Sequence, residues 1–208
     1  VETDGLFFRG NETGLNTIEI NGTEIAPTVT AGDQTDTAKT YKLHAEDRDA
    51  QIDVDLSVKV SVEDNTLTWE VTDFEKNDGC AKIATIDIPQ LNLLSVDAVD
   101  EGARFDGAKA STTTTAPADS FITFDEGFSP SETGGYLYAF LSTDKLSAGL
   151  FSNSEIEGDK RVERNNGADT ISLTSAAWYY EAGDKNGQAS GKEFPVSELP
   201  CAKVASGG

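Results

Sequence analysis

From Ala50 to Val62 the chain alternates without a break. Ala50, Ile52, Val54, Leu56, Val58, Val60 and Val62 are apolar, while Gln51, Asp53, Asp55, Ser57, Lys59 and Ser61 are polar. A period of two places one set on each face of a strand, so the segment reads as one long strand with a buried and a wet face. At about 3.3 Å per residue it spans roughly 40 Å, well beyond the usual strand of ~5–6 residues. A strand of that length implies a large sheet. After Glu63-Asp64-Asn65-Thr66 the alternation resumes, with Leu67, Trp69 and Val71 inward and Thr68, Glu70 and Thr72 outward. This predicts an antiparallel hairpin with Trp69 in the core.

A second hairpin is signalled by Leu15 to Ile20, Asn21-Gly22, and Thr23 to Val29, because Asn-Gly supplies the positive φ angles of a type I′ turn. Further strands are expected at Lys39 to His44, Ala81 to Ile88, Ser120 to Phe124, Tyr136 to Leu141, Gly149 to Phe151, Arg161 to Arg164, Thr170 to Thr174 and Ala177 to Tyr180. Gly107 to Pro117, with Ser111 and four consecutive threonines, reads either as a polar edge strand or as a low-complexity linker, and the β-branched run favours the strand. No window of 12 or more residues carries a 3.6 period, and only Lys145 to Ala148, capped by Asp144, could form a turn of helix. The fold class is therefore all-β. A large super-sandwich of two stacked antiparallel sheets fits better than a barrel, whose lumen this lean core could not fill.

With 208 residues the chain can bury a core without disulfide or metal staples. Lys and Arg number 16 against 37 Asp and Glu, a net charge of −21, which argues against nucleic acid or an anionic membrane as partner. No run approaches the roughly 18 apolar residues of a membrane span. The opening Val1-Glu2-Thr3-Asp4 has no basic stretch or apolar core, so the chain reads as a mature or excised piece. Cys80 and Cys201 match no metal-ligand spacing; two thiols are expected, and a bridge would need their proximity in space. The acidity suits a bacterial extracellular or cell-surface protein.

Candidate chemistry is sparse. His44 is the only histidine, which excludes catalysis by histidine pairs and a His-based zinc site, and its place in Tyr41-Lys42-Leu43-His44 suits a strand surface. Acid pairs at Asp125/Glu126, Glu155/Glu157, Asp97/Asp100/Glu101 and Glu46/Asp47/Asp49 are what 37 acids produce by chance, and each reads as a solvated cluster. Asp97, Asp100, Glu101 and Asp106 lack the spacing of an EF-hand loop. No catalytic residue, metal ligand or cofactor is expected. Trp178, Tyr179 and Tyr180 are consecutive, so on a strand Trp178 and Tyr180 share one face; they are the candidate sugar-stacking residues, with burial of Trp178 between sheets as the alternative. Asn11-Glu12-Thr13 and Asn21-Gly22-Thr23 fit the glycosylation pattern, which is empty in a bacterium.

Gly107-Ala108-Lys109-Ala110-Ser111-Thr112, Phe121-Ile122-Thr123-Phe124-Asp125-Glu126, Pro130-Ser131-Glu132, Gly135-Tyr136-Leu137-Tyr138-Ala139-Phe140-Leu141 and Ser147 to Glu155 together resemble the endo-α-N-acetylgalactosaminidase family of bacterial glycoside hydrolases. The resemblance implies a multidomain extracellular enzyme that releases Gal-β1,3-GalNAc from serine or threonine of mucin-type glycoproteins. It also implies that this chain is the galactose mutarotase-like β-sandwich preceding a (β/α)8 catalytic barrel. Residues 1–194 are then the sandwich. Residues 195–208, with Leu199-Pro200-Cys201-Ala202-Lys203-Val204-Ala205 similar to the family's lead into the barrel, are a linker or the barrel's start. The family's catalytic carboxylates belong to the barrel, so none falls on this chain.

Three functions of different classes follow. A scaffold would pack on the barrel through an apolar patch and lend it loops such as Ser152 to Lys160 or Glu181 to Gln188. A carbohydrate-binding module would present Trp178 or Tyr180 to galactose or N-acetylgalactosamine. An independent hydrolase or epimerase would need two converging acids, one raised in pKa by apolar neighbours. A mutarotase would need a histidine and a carboxylate to open a sugar ring, which His44 in its strand context does not suit.

Overall fold

The computed structural model describes residues 2–3, 6–10, 14–89, 91–98, 106–111, 121–124, 136–142, 145, 147–154, 161–164, 170–174, 177–180 and 199–207. The strands in chain order are β1 (Glu2–Thr3), β2 (Leu6–Gly10), β3 (Ile18–Ile20), β4 (Thr23–Ile25), β5 (Thr28–Gln34), β6 (Ala38–Asp47), β7 (Ile52–Glu63), β8 (Thr66–Lys76), β9 (Thr85–Asp87), β10 (Asn92–Ala98), β11 (Asp106–Ser111), β12 (Phe121–Phe124), β13 (Tyr136–Ser142), β14 (Ser147–Ser152), β15 (Arg161–Arg164), β16 (Thr170–Thr174), β17 (Ala177–Tyr179) and β18 (Cys201–Gly207). No helix occurs among the described residues; Ser147 and Ala148, read as a helical turn, belong to strand β14.

The largest sheet has nine strands in the order β12-β11-β13-β14-β18-β8-β7-β6-β5; a five-stranded sheet runs β1-β2-β10-β16-β15 and a four-stranded one β17-β9-β3-β4. Neighbouring strands are antiparallel throughout. Alternation along β7 does what its sequence requires: Ile52, Val54, Leu56 and Val58 are buried, while Asp53, Asp55, Ser57 and Lys59 take the other face. The β7–β8 turn is built on Asp64 and Asn65, both at positive φ, and the β3–β4 turn on Asn21 and Gly22, also at positive φ. Both are two-residue turns whose twist matches that of the flanking strands.

One apolar cluster joins the layers. Val54, Leu56, Val58, Trp69, Leu150, Ala202 and Val204 of the nine-stranded sheet meet Ile18, Ile20, Ile25, Ile86 and Trp178 of the four-stranded sheet and Leu93 and Leu94 of β10. Each fully buried isoleucine or leucine contributes about 1.5–3 kcal/mol, which explains why the inward positions are so uniformly aliphatic. The protein is thus an all-β antiparallel sandwich.

One local reading changes. Thr23 to Val29, expected as one strand, divides at Ala26-Pro27: β4 belongs to the four-stranded sheet and β5 to the nine-stranded one. Proline has no N–H to give a sheet ladder, so the chain crosses between layers there. Within residues 195–208, read as a linker or the start of a barrel, Cys201–Gly207 is β18, paired with β14 on one side and β8 on the other. Gly107 to Ser111 lies in β11, between β12 and β13, while Thr112 to Thr115 fall outside the described residues.

Candidate functional site

Trp178 and Tyr180 share a face, as alternation requires, and that face is the core. Trp178 is 3% exposed; its ring stacks on Trp69 with centroids 5.5 Å apart and planes 18° from parallel. Its Nε1–H donates to Asn153 Oδ1 at 2.9 Å. A ring so enclosed has no face to offer a sugar, so Trp178 is a core residue and not a stacking platform. The half-buried Tyr180 ring lies 4.3 Å from that of Phe74, tilted by 42°, and its backbone N–H donates to the carbonyl of Ala84 at 2.8 Å. Both rings tie β17 and the residue after it to the nine-stranded sheet.

Asn153 is the hub of this contact. Its Oδ1 accepts from Trp178 Nε1 and from the Cys201 N–H at 2.8 Å, its Nδ2 donates to the Leu199 carbonyl at 2.8 Å, and its own N–H donates to the Cys201 carbonyl at 3.1 Å. Ser154 Oγ donates to the Ala177 carbonyl at 2.5 Å. Two residues just past β14 therefore fasten β17 and β18 together.

The outer face of the nine-stranded sheet carries the one histidine. His44 Nδ1 lies 3.0 Å from Asp55 Oδ1 and 3.9 Å from Asp53 Oδ1, and Asn77 Nδ2 donates to Asp53 Oδ1 at 2.6 Å and to Asp55 Oδ2 at 3.0 Å. The pairing follows from register, since His44 and Asp55 are directly opposite on β6 and β7. The Asn77 amide, and with it the His44 ring, hold the Asp55 carboxyl below its ordinary value despite a slight opposing desolvation. Asp55 orients the ring through Nδ1. The group is open to water, with His44 44% and Asp55 51% exposed, so its charges are screened. Glu46 is likewise exposed and pairs with Arg48 at 2.8 Å.

A concave site exists elsewhere, on the opposite, core-side face of the same sheet. β7 has twelve residues but β3, β4, β9 and β17 have three each, so the opposing four-stranded sheet covers only part of that face. Where cover ends, a groove of about 700 Å³ is floored by Val29, Tyr41, Val60 and Val62 and rimmed by the Gln34-Thr35-Asp36-Thr37 tip of the β5–β6 hairpin. Val29 and Val62 are 39% and 53% exposed, large values for inward-facing valines. Lys39 Nζ sits 5.1 Å from the centroid of the Tyr41 ring. Alternation marks Tyr41, Val60 and Val62 as inward, and of these Tyr41 and Val60 pack partly on the core while Val62 is exposed. None of the groove's residues belongs to the His44 group.

Among the described residues no three His, Cys, Asp or Glu side chains gather to hold a metal ion, and no helix is long and apolar enough to cross a membrane. Cys80 and Cys201 form no disulfide with each other; Cys80 Sγ accepts the Asp53 N–H at 3.5 Å. Asn11, Asp100, Glu101, Asp125, Glu126, Glu155, Glu157 and the loop residues 155–160 and 181–188 lie outside the described residues, as do the side chains of Asp97, Asp106 and Tyr179.

The model of the family described as the galactose mutarotase-like fold domain matches residues 2–207. The chain belongs to that family. Among solved structures, this galactose mutarotase-like domain is similar to the GH36 alpha-galactosidase AgaB from Geobacillus stearothermophilus at 13% identity, covering 94% of this chain and 30% of that one with a TM-score of 0.40. The alpha-galactosidase from Lactobacillus brevis is matched at 13% identity over 94% of this chain and 29% of that one, with a TM-score of 0.41. A galactose mutarotase related enzyme from Lactobacillus acidophilus is matched at 9% identity over 93% of this chain and 78% of that one, with a TM-score of 0.46. The galactose mutarotase-like domain thus spans under a third of the length of the alpha-galactosidases it matches.

Proposed function

We propose that this chain is the non-catalytic β-sandwich domain of a secreted bacterial glycoside hydrolase, and that it supports the catalytic barrel of the same parent protein. The parent's reaction, in this reading, is release of Gal-β1,3-GalNAc from Ser/Thr-linked mucin-type glycans. The observation that carries the proposal is the family match over residues 2–207. The phrases from Gly107 to Glu155 that resemble endo-α-N-acetylgalactosaminidases narrow the substrate. The net charge of −21 suits an extracellular or cell-surface protein. A catalytic role for this chain itself finds little support, because its one histidine lies on an open sheet face with a carboxylate partner and none of the groove's residues beside it.

The test compares the isolated 208-residue chain with the longer natural protein on an aryl α-glycoside of Gal-β1,3-GalNAc. The expected result is no release by the isolated chain and stoichiometric disaccharide release by the longer protein. Hydrolysis by the isolated chain would overturn the non-catalytic assignment. Release of galactose from α-galactosides by the longer protein, with Gal-β1,3-GalNAc glycosides untouched, would overturn the substrate.

A further inference from the structure

We infer that the nine-stranded sheet contains a strand-binding slot between β14 and β8, that β18 fills it as a separable ligand, and that the slot accepts the same strand when it is supplied in trans. The inference concerns how this sandwich is completed and is independent of the glycoside on which the parent protein acts.

Topology carries it. In the order β12-β11-β13-β14-β18-β8-β7-β6-β5, every other strand of the sheet precedes β18 in the chain. Among the described residues no other strand of that sheet joins the block β12-β11-β13-β14 to the block β8-β7-β6-β5. Ser147 to Ser152 pair with Ala202 to Gly207, and Thr66 to Glu70 pair with Cys201 to Ala205. Without β18, both facing edges would present unpaired N–H and C=O groups, the arrangement that captures an extended chain. The slot is apolar on its inner side, where Trp69 and Leu150, 0% and 1% exposed, lie beside Ala202 and Val204 in register.

The slot is also selective. Ala202 stands opposite Trp69, whose ring is stacked on Trp178 at 5.5 Å, so that position takes only a small side chain. Lys203 is exposed on the other face, between Phe151 and Thr68, and tolerates change. Register is pinned at both ends. The Pro200 carbonyl accepts the Val71 N–H at 2.8 Å, and the Asn153 side chain accepts the Cys201 N–H and donates to the Leu199 carbonyl, each at 2.8 Å. At the far end the Ser206 N–H donates to the Asn65 carbonyl at 3.0 Å. A slip of one residue would break these bonds and turn Lys203 into the core.

Separability follows from where the contacts lead. Each of those named runs to a distant part of the chain; Ser206 and Asn65 are 141 positions apart. A break before Leu199 therefore leaves them all in place. Covalent continuity raises the effective concentration of the strand and adds no contact to the slot.

The experiment inserts a recognition sequence for a site-specific protease into the full 208-residue chain, after Gly187 in one variant and after Gly191 in another, and cleaves the folded protein. The C-terminal piece is expected to stay bound through gel filtration. A roughly tenfold excess of fluorescein-labelled peptide Glu198 to Gly208 should then displace it, so that about nine-tenths of the cleaved protein carries label, while the uncleaved chain takes up none. The same peptide with Ala202→Leu should compete about tenfold less well, because the larger side chain has no room beside the indole stack, whereas Lys203→Gln should compete equally. Loss of the C-terminal piece with native tryptophan emission retained would overturn the inference, because β14 and β8 would then close without β18. So would a cleaved protein that takes up no label within several days, or equal uptake of the Ala202→Leu peptide. Neither result bears on the glycosidase assay of the longer protein.

Discussion

Replacing Asn153 by alanine should cost far more than a half-buried loop asparagine suggests. The side chain makes three hydrogen bonds, to Trp178 Nε1 at 2.9 Å, the Cys201 N–H at 2.8 Å and the Leu199 carbonyl at 2.8 Å. Each is worth about 1 kcal/mol net, and an indole N–H left buried without a partner adds a desolvation penalty of ~1–3 kcal/mol. Trp178 is only 3% exposed, so water cannot easily replace the lost acceptor. The expected loss is therefore about 4–6 kcal/mol. For a domain of this size each kcal/mol moves the melting temperature by roughly 2–4 °C, so a drop of about 8–24 °C is expected. Urea unfolding followed by tryptophan fluorescence measures the loss. The chain has two tryptophans, so the two indole N–H signals in a ¹⁵N spectrum report the site directly, and the Trp178 signal should move most. Thr72→Ala, which removes an exposed 3.4 Å contact to the Ser57 carbonyl, should stay within about 0.5 kcal/mol as the control. An Asn153→Ala protein as stable as that control would refute the reasoning, because it would mean that Asn153 does not fasten Trp178 and β18.

Trp69 Nε1 is buried and meets no hydrogen-bond partner, whereas Trp178 Nε1 is satisfied. Trp69→Phe should therefore cost about 1 kcal/mol less than Trp178→Phe in urea unfolding, since one change removes an orphaned donor and the other breaks a made hydrogen bond to Asn153. Asn21 holds φ at 53° and bridges to Lys82, Ala84 and Thr85 through its side chain, so Asn21→Ala should lose about 2–4 kcal/mol, while Asn65→Ala, also at positive φ but on an exposed turn, should lose less. The Asp55 carboxyl is held below its ordinary value of 3.8 by Asn77 and His44. A depressed carboxylate contributes stability above its unfolded pKa and loses it as pH falls through the folded one. Asn77→Leu should raise the Asp55 pKa in a ¹³C carboxyl titration, and the stability gap between variant and wild type should narrow below about pH 4. A gap that widens on acidification would contradict this linkage.

The hairpin of β7 and β8 was legible because a period of two needs only the order of polar and apolar residues, and Asn21-Gly22 was legible because few residues tolerate its positive φ. The class and the buried state of Trp69 followed from that. β18 was not legible as a central strand, and the reason is the tryptophan stack. Ala202 lies directly opposite Trp69 in register, and a position beside two stacked indoles has room only for a small side chain. The weak alternation of Cys201, Ala202, Lys203 and Val204 is thus a consequence of tight packing and reads, in one dimension, as either a strand or a linker. Trp178 misled in the complementary way: alternation correctly put it on the face of Tyr180, but a period of two cannot say whether that face meets solvent or another sheet.

The groove shows the same limit from the other side. Tyr41, Val60 and Val62 continue the inward register of buried residues such as Val58, and sequence alone would place them all in the core. Cover ends only at the last residues of β7: Ile52 to Val58 are buried on that face, Val60 is partly buried and Val62 is 53% exposed, a stretch of roughly 10–15 Å at about 3.3 Å per residue. Tyr41 and Val60 still pack partly on the core there, and Val29 and Val62 meet water. A period of two therefore marks which residues share a face, and the depth of cover over that face is set by the layer opposite, which the alternation of this strand does not encode.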